Sequence, residues 1–186
     1  MWKHLVLLLA TILGFGASLM MMHRAIGLAS PWMGLTLMMC LLGLAKIAEP
    51  FYLLEMPWGL RQIRSWESRG VLYRRLAVPQ FGGLLRDTPL RHLNSSVYVS
   101  GHGRDLAAIV RQVEAAEAAH FWAALVLLPY LVLTARSRNW TAVAGLLLVE
   151  IVGNAYPIMH LRMVRGRLNR VSLRRSPCVA PPRRAS

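Results

Sequence analysis

The sequence predicts an all-α integral membrane protein with about four transmembrane helices and a cytoplasmic Arg-rich segment between helices two and three. Three observations carry this expectation. Of 186 residues, 55% are hydrophobic and the mean hydropathy is +0.42, too apolar for an ordinary soluble domain. Four apolar runs recur at lengths suited to the ~30 Å hydrocarbon core, which about 20 helical residues cross. The 22 Lys and Arg outnumber 8 Asp and Glu, and they lie between and after the apolar runs, as in a positive-inside membrane protein. A nucleic-acid binder would gather such charge on one polar domain, which this chain lacks.

The first run, 5–22, is apolar or small throughout and follows Lys3. A signal peptide would look similar, but the run is long for one and no clear small-residue cleavage site follows, so a retained helix is expected. The second spans 32–54, apolar in its first half and carrying Lys46, Glu49 and Pro50 in its second. Lys46 and Glu49 are i,i+3 neighbours that can pair at a helix end. Residues 55–116 form the polar segment, punctuated by Gly and Pro, with short pieces between them. From Asp105, a plausible N-cap, helical patterning resumes and runs into the third apolar stretch, 117–135. Residues 136–139 form a turn, 140–160 the fourth run, and 161–186 a basic tail whose end reads as disordered. Placing the two Arg-rich segments on one side of the cell membrane puts both the polar segment and the tail in the cytoplasm. All 186 residues form one membrane domain with no internal repeat. Cys40 and Cys178 lack metal-ligand spacing, and nothing supports a disulfide between them.

Ionisable residues inside apolar runs mark candidate sites, because each costs about 2.5–3.5 kcal/mol on insertion scales. Glu117 and His120 share a face of the third helix at i,i+3. A carboxylate that orients an imidazole makes it a general base. The plainer alternative is an interfacial His beside Phe121 and Trp122. Glu67, Gly70 and Tyr73 fall at spacing three on one helical face, either facing a site or lying on a membrane-surface helix with Trp66, Val71 and Leu72 dipping in. Glu150 and Asn154 align at i,i+4, and Pro157 kinks the helix near Gly153. Arg162, Arg165 and Arg167 either anchor the chain to anionic lipid or clamp donor phosphates. His92 and His102 lie in the polar segment; His102, Glu117 and His120 are the one conceivable metal set, but no zinc spacing occurs and no metal is expected. A Ser nucleophile in G-x-S-x-G is also lacking.

An ordered set of motifs resembles the glycosyl-4,4'-diaponeurosporenoate acyltransferase family of carotenoid biosynthesis. It comprises Glu67-x-x-Gly70-x-x-Tyr73, the Asp87 to Asn94 stretch, Glu117-x-x-His120-Phe-Trp122, and Asn154-x-x-Pro157 followed by Arg162, Arg165, Arg167 and Leu168. It covers roughly residues 45–170. Leu161 stands in place of Gln in the final motif, Met163-Val164 in place of Tyr-Asn, and Phe81-Gly82 in place of an aromatic-Lys pair. The resemblance implies transfer of a fatty acyl group to a sugar hydroxyl of a membrane-embedded glycosylated isoprenoid or glycolipid. It makes His120, Glu117 and Glu67 catalytic residues, and Tyr73, Asn154, Arg162, Arg165 and Arg167 substrate-binding ones. The expected partners are a lipid-like acceptor and an acyl thioester donor, with no cofactor. Two other classes remain open. A non-catalytic membrane subunit would turn its charges outward along one stripe. A methyltransferase with a nucleotide-like donor would need a stacking pocket near Tyr73 or Tyr98.

Overall fold

In the computed structural model, residues 2–27, 30–49, 53–88 and 106–175 are described, and all regular elements among them are helical. Helix α1 (Trp2–Ile26) packs chiefly on α2 (Pro31–Ala48), where Phe15 covers Gly43. Most large side chains of α1 are exposed, the arrangement of a helix whose remaining faces meet lipid. Pro31 at the first turn of α2 has no N–H to leave unsatisfied there. Helix α2 stops at Ala48, not at 54 as its hydropathy suggested, because Pro50 cannot donate the next helical hydrogen bond. The expected Lys46–Glu49 ion pair closes its last turn.

Four short helices follow: α3 (Trp58–Arg61), α4 (Ser65–Arg69), α5 (Val71–Arg75) and α6 (Val78–Asp87). Gly70, at φ 68°, separates α4 from α5. A side chain would be strained in that left-handed conformation, so glycine ends one helix and starts the next. Glu67 and Tyr73 therefore do not share one continuous helical face. Trp66, Val71 and Leu72 are exposed, as expected of side chains available to a membrane surface.

Helix α7 (Leu106–Arg136) carries Pro129 internally and is followed by a turn in which Arg138 adopts φ 56°. Asn139 then caps α8 (Trp140–Glu150) by accepting the Ala142 N–H at 3.1 Å. A π-helical turn, Ile151–Ala155, joins α8 directly to α9 (Tyr156–Arg175). The helix thus continues well past 160, and residues 161–175 are helix rather than basic tail. Asp105 and Cys178, for which a cap and a thiol were considered, lie outside the described residues.

Three helical stretches are long and apolar enough to cross a membrane: Leu5–Ile26, Leu106–Arg136 and Trp140–Ser172. Helix α2 is shorter. The bundle centres on the α7 to α9 hairpin, against which α2 packs on one side and α4, α5 and α6 on the other. Small residues, Ala118, Ala123 and Ala142, bring the backbones close, and Val113, Leu127, Leu146 and Leu161 fill between them. Tyr73, Val78 and Met163 form a cluster backed by Tyr156 and Met159. Leu161 and Met163, two departures from the family motif, therefore belong to apolar packing.

Gly82 faces the His160 ring so closely that a Cβ there would overlap it, whereas Gly83 beside it has open space. Gly82→Ala should therefore destabilise the protein by about 1–3 kcal/mol through overpacking. Gly83→Ala should be neutral or stabilise by up to about 1 kcal/mol through helix propensity. Thermal unfolding in detergent micelles would compare the two.

Candidate active site

Two helices carry matched ladders of opposite charge. Glu114 and Glu117 are i,i+3 on α7, and Arg162 and Arg165 are i,i+3 on α9. The helices run antiparallel, so each step forward on one is a step back on the other. Glu117 meets Arg162 and Glu114 meets Arg165, with N to O distances of 2.7 and 2.9 Å. Arg165 also lies 3.2 Å from Glu117 Oε2, though off hydrogen-bond alignment, and its Nη2 reaches Oε1 at 3.5 Å. Glu117 is fully buried and Arg165 is 2% exposed.

Arg162 uses all five of its N–H donors. Nε and Nη2 form a two-pronged pair with Glu67 at 2.8 and 2.9 Å. Nη1 donates to Glu117 at 2.7 Å and to the Leu60 carbonyl at 2.6 Å. Nη2 also donates to the Gln62 carbonyl at 2.9 Å. Arg165 takes the intervening Arg61 carbonyl at 2.6 Å. Successive carbonyls at the end of α3, which the short helix leaves without donors, are thereby satisfied from α9. Glu67 is equally saturated. Its Oε1 accepts from Arg162 and from the Tyr73 hydroxyl at 3.1 Å, and its Oε2 accepts from Arg162 and from the Arg64 N–H at 2.7 Å. Arg61 extends the network to Glu114 at 2.8 Å and Glu55 at 3.7 Å.

Burial by itself would raise the Glu67 carboxyl, but the Arg162 hydrogen bond, the Arg64 N–H, the Arg162 charge and the Tyr73 hydroxyl outweigh it and hold it below its ordinary value. Tyr73 is pushed up to about 12 by burial and by the adjacent Glu67 carboxylate.

A second polar group lies deeper in the apolar runs. His120 faces Asn154 and the backbone of Gly153, not Glu117. Asn154 is fully buried and donates from Nδ2 to Glu150 Oε2 at 3.1 Å, the i,i+4 contact its spacing predicts. His120 Nδ1, Asn154 Oδ1 and Glu150 Oε1 are buried without a hydrogen bond of normal geometry. The expectation that Glu117 orients His120 is corrected. Although i,i+3 residues share a broad face, Glu117 points to the α9 arginines and His120 to the π-turn.

The structure thus brings Glu67, Tyr73, Glu117, Arg162 and Arg165 together, and sets His120 with Asn154. Arg167 joins neither group: it is exposed, with a 3.8 Å contact to the Met163 sulfur. Of the late arginines expected to clamp a donor, Arg162 and Arg165 are engaged by carboxylates and carbonyls. Tyr73 is 2% exposed, so it offers no stacking face. His92, His102 and Tyr98 lie outside the described residues, and among the described ones no His, Cys, Asp and Glu cluster suits a metal. A cleft of about 70 Å³ lies beside the network, lined by Leu53, Met56, Arg111 and Glu114 among others, well under the several hundred Å³ of a typical ligand pocket. Sequence reasoning missed Glu55, Arg61 and Glu114. The signal for Glu114 was its i,i+3 offset from Glu117, which mirrors that of Arg162 and Arg165.

Fold and site together define a helical protein with membrane-length helices, locked at one end by a buried arginine–glutamate network. Residues 57–174 match the glycosyl-4,4'-diaponeurosporenoate acyltransferase family, and the chain belongs to that family. No curated protein and no solved structure matches it.

Arg162→Met would leave Glu67 without a cation and Glu117 with Arg165 alone, and should cost about 3–5 kcal/mol, while the same change at exposed Arg167 should stay within about 0.5 kcal/mol. Arg162→Lys should also be destabilising, because three donors cannot serve five acceptor atoms. Thermal unfolding in micelles measures each.

The network also sets a pH window. Glu67 has a lowered folded value, so its stabilisation is present above the unfolded carboxylate value of about 4.3 and is lost as pH falls through the folded one. Tyr73 has a raised value, so its contribution is present below about 10 and is lost as pH rises toward about 12. Melting curves across pH should fall at both ends; Tyr73→Phe should remove the alkaline loss and weaken the acid one, since Glu67 then lacks the hydroxyl that helps to lower it.

Proposed function

We propose that this protein transfers a fatty acyl group from a thioester donor to a hydroxyl of a membrane-embedded glycosylated isoprenoid or glycolipid. The observation that carries the proposal is the family match across the α3 to α9 region. Glu67 and Glu117 turn inward onto one guanidinium, unlike the outward stripe expected of a subunit, while His120 stands apart from them with Asn154. All four long helices would cross the cell membrane. Helix α2, with 18 residues, rises about 27 Å, close to the ~30 Å core. The Arg-rich 55–116 segment and the chain end beyond α9 would share the cytoplasmic side.

In this scheme His120 is the general base. It takes the proton of the acceptor hydroxyl as that oxygen attacks the thioester carbonyl. The new C–O bond forms, the C–S bond breaks, and the departing thiolate takes the proton back from the imidazolium. No cofactor is required. Glu67, Glu117, Arg162 and Arg165 hold the α3 to α6 layer against α9 and fix the position of α7, on which His120 sits.

The experiment is mass spectrometry of lipid and pigment extracts from cells that make glycosyl-4,4'-diaponeurosporenoate and express the native chain, His120→Ala or no protein. A product heavier than its precursor by one fatty acyl group is expected only with the native chain. The same product from His120→Ala would remove His120 as the base. No product from correctly inserted native chain, here and in a comparison of the source organism with its deletion strain, would favour the non-catalytic subunit.

A further inference from the structure

The π-turn between α8 and α9 holds a polar chain that no ordinary helix would present. Pro157 has no N–H to give the carbonyl four residues back, that of Gly153. The π-helical stretch Ile151–Ala155 widens the turn at the same place. Gly153 itself lies against the end of the Met38 side chain of α2, which a Cβ there would displace. On the other side His120, from α7, faces both the Gly153 backbone and Asn154. Asn154 donates to Glu150 at 3.1 Å, which turns its amide so that Oδ1 is left for another donor. Oδ1 and His120 Nδ1 are both buried without a normal hydrogen bond, an arrangement suited to one sharing the proton of the other.

We propose that Glu150 and Asn154 are the positioning pair for His120: through the π-turn they fix which ring nitrogen carries the proton and leave the other to accept one. Glu150 orients the Asn154 amide, Asn154 Oδ1 and the Gly153 carbonyl take the imidazole N–H, and the remaining nitrogen carries the free lone pair. The assignment rests on the acyl-transfer reaction proposed above only for its consequence; the tautomer itself is testable without any substrate. The other ionisable groups nearby have their own neighbours. Glu117, one turn back on α7, is held by Arg162 and Arg165. His160 on α9 lies against Gly82 and faces Arg86 and Arg167. Helix α2 brings the non-ionisable Met38.

The test is solid-state ¹⁵N NMR of histidine-labelled full-length protein in phosphatidylglycerol and phosphatidylcholine bilayers at neutral pH, with His120 assigned by difference against His120→Gln. The expected result is a single neutral tautomer in the native chain, retained in Asn154→Asp, which keeps an acceptor. Asn154→Leu, which removes it, should give a mixture of both tautomers, and so should Glu150→Leu, which removes the acceptor that turns the Asn154 amide; a single tautomer in Glu150→Leu would overturn the role of Glu150. A native mixture, or a single tautomer that survives Asn154→Leu, overturns the assignment. Turnover with glycosyl-4,4'-diaponeurosporenoate and a long-chain acyl coenzyme A gives a second readout. Here Asn154→Leu should lower kcat by about 10²-fold with KM unchanged, and Asn154→Asp should recover part of it. A purely structural Asn154 would give the reverse order, because an ionisable Asp is harder to bury among apolar helices than Leu. Loss of the His120 base role would show as full activity in His120→Gln, whatever the tautomer result.

Discussion

One guanidinium holds this molecule together. Arg162 joins Glu67 of α4, Glu117 of α7 and two carbonyls at the end of α3 to α9. Removing that many charges from water is costly, and a single buried pair often fails to recover the cost. Here every donor of Arg162 and every lone-pair site of Glu67 is used, and only Glu117 Oε2 and Arg165 Nε beside them lack a hydrogen bond. The place of the α3 to α6 layer on the bundle depends on this junction, on the Tyr73, Val78 and Met163 cluster, and on the Phe81–Tyr156 ring contact with centroids 5.2 Å apart.

The network also sets the register of the α7 to α9 hairpin. Apolar side chains between two membrane-type helices tolerate sliding, since lipid and Leu are nearly equivalent neighbours. Two acids and two arginines at matching offsets do not, because a shift of one turn would leave a carboxylate and a guanidinium each without a partner. The same register brings His120 opposite the π-turn. A densely ion-paired cluster thus stands beside a neutral polar group at the π-turn, and the first sets the position of the second.

Much of the fold was legible because hydropathy is a local property. The apolar runs, the turn before Trp140 and the Lys46–Glu49 and Glu150–Asn154 contacts all follow from spacing within one helix. The errors came where partners are distant in sequence. Residues 161–175 looked like a solvated basic tail because arginine usually is solvated, and only carboxylates about fifty and a hundred positions earlier make it worth burying. The Glu117 to His120 spacing suggested a dyad, yet i,i+3 settles a shared face and not a shared direction. The Glu67, Gly70 and Tyr73 spacing suggested one helix. The left-handed glycine broke it, and Tyr73 still returned to Glu67 across the bend.

The sequence by itself determined an all-helical chain with membrane-length apolar segments, its motif-level likeness to an acyltransferase family and the candidate ionisable residues. Each of these depends on composition or on neighbours within a few turns. The tertiary structure alone decided which of those residues bind one another, because the pairing of Arg162 with Glu67 and Glu117, and of His120 with Asn154, depends on how separate helices are packed. Charge identity can be read along a chain; the partner that neutralises a buried charge is set by the fold that buries it.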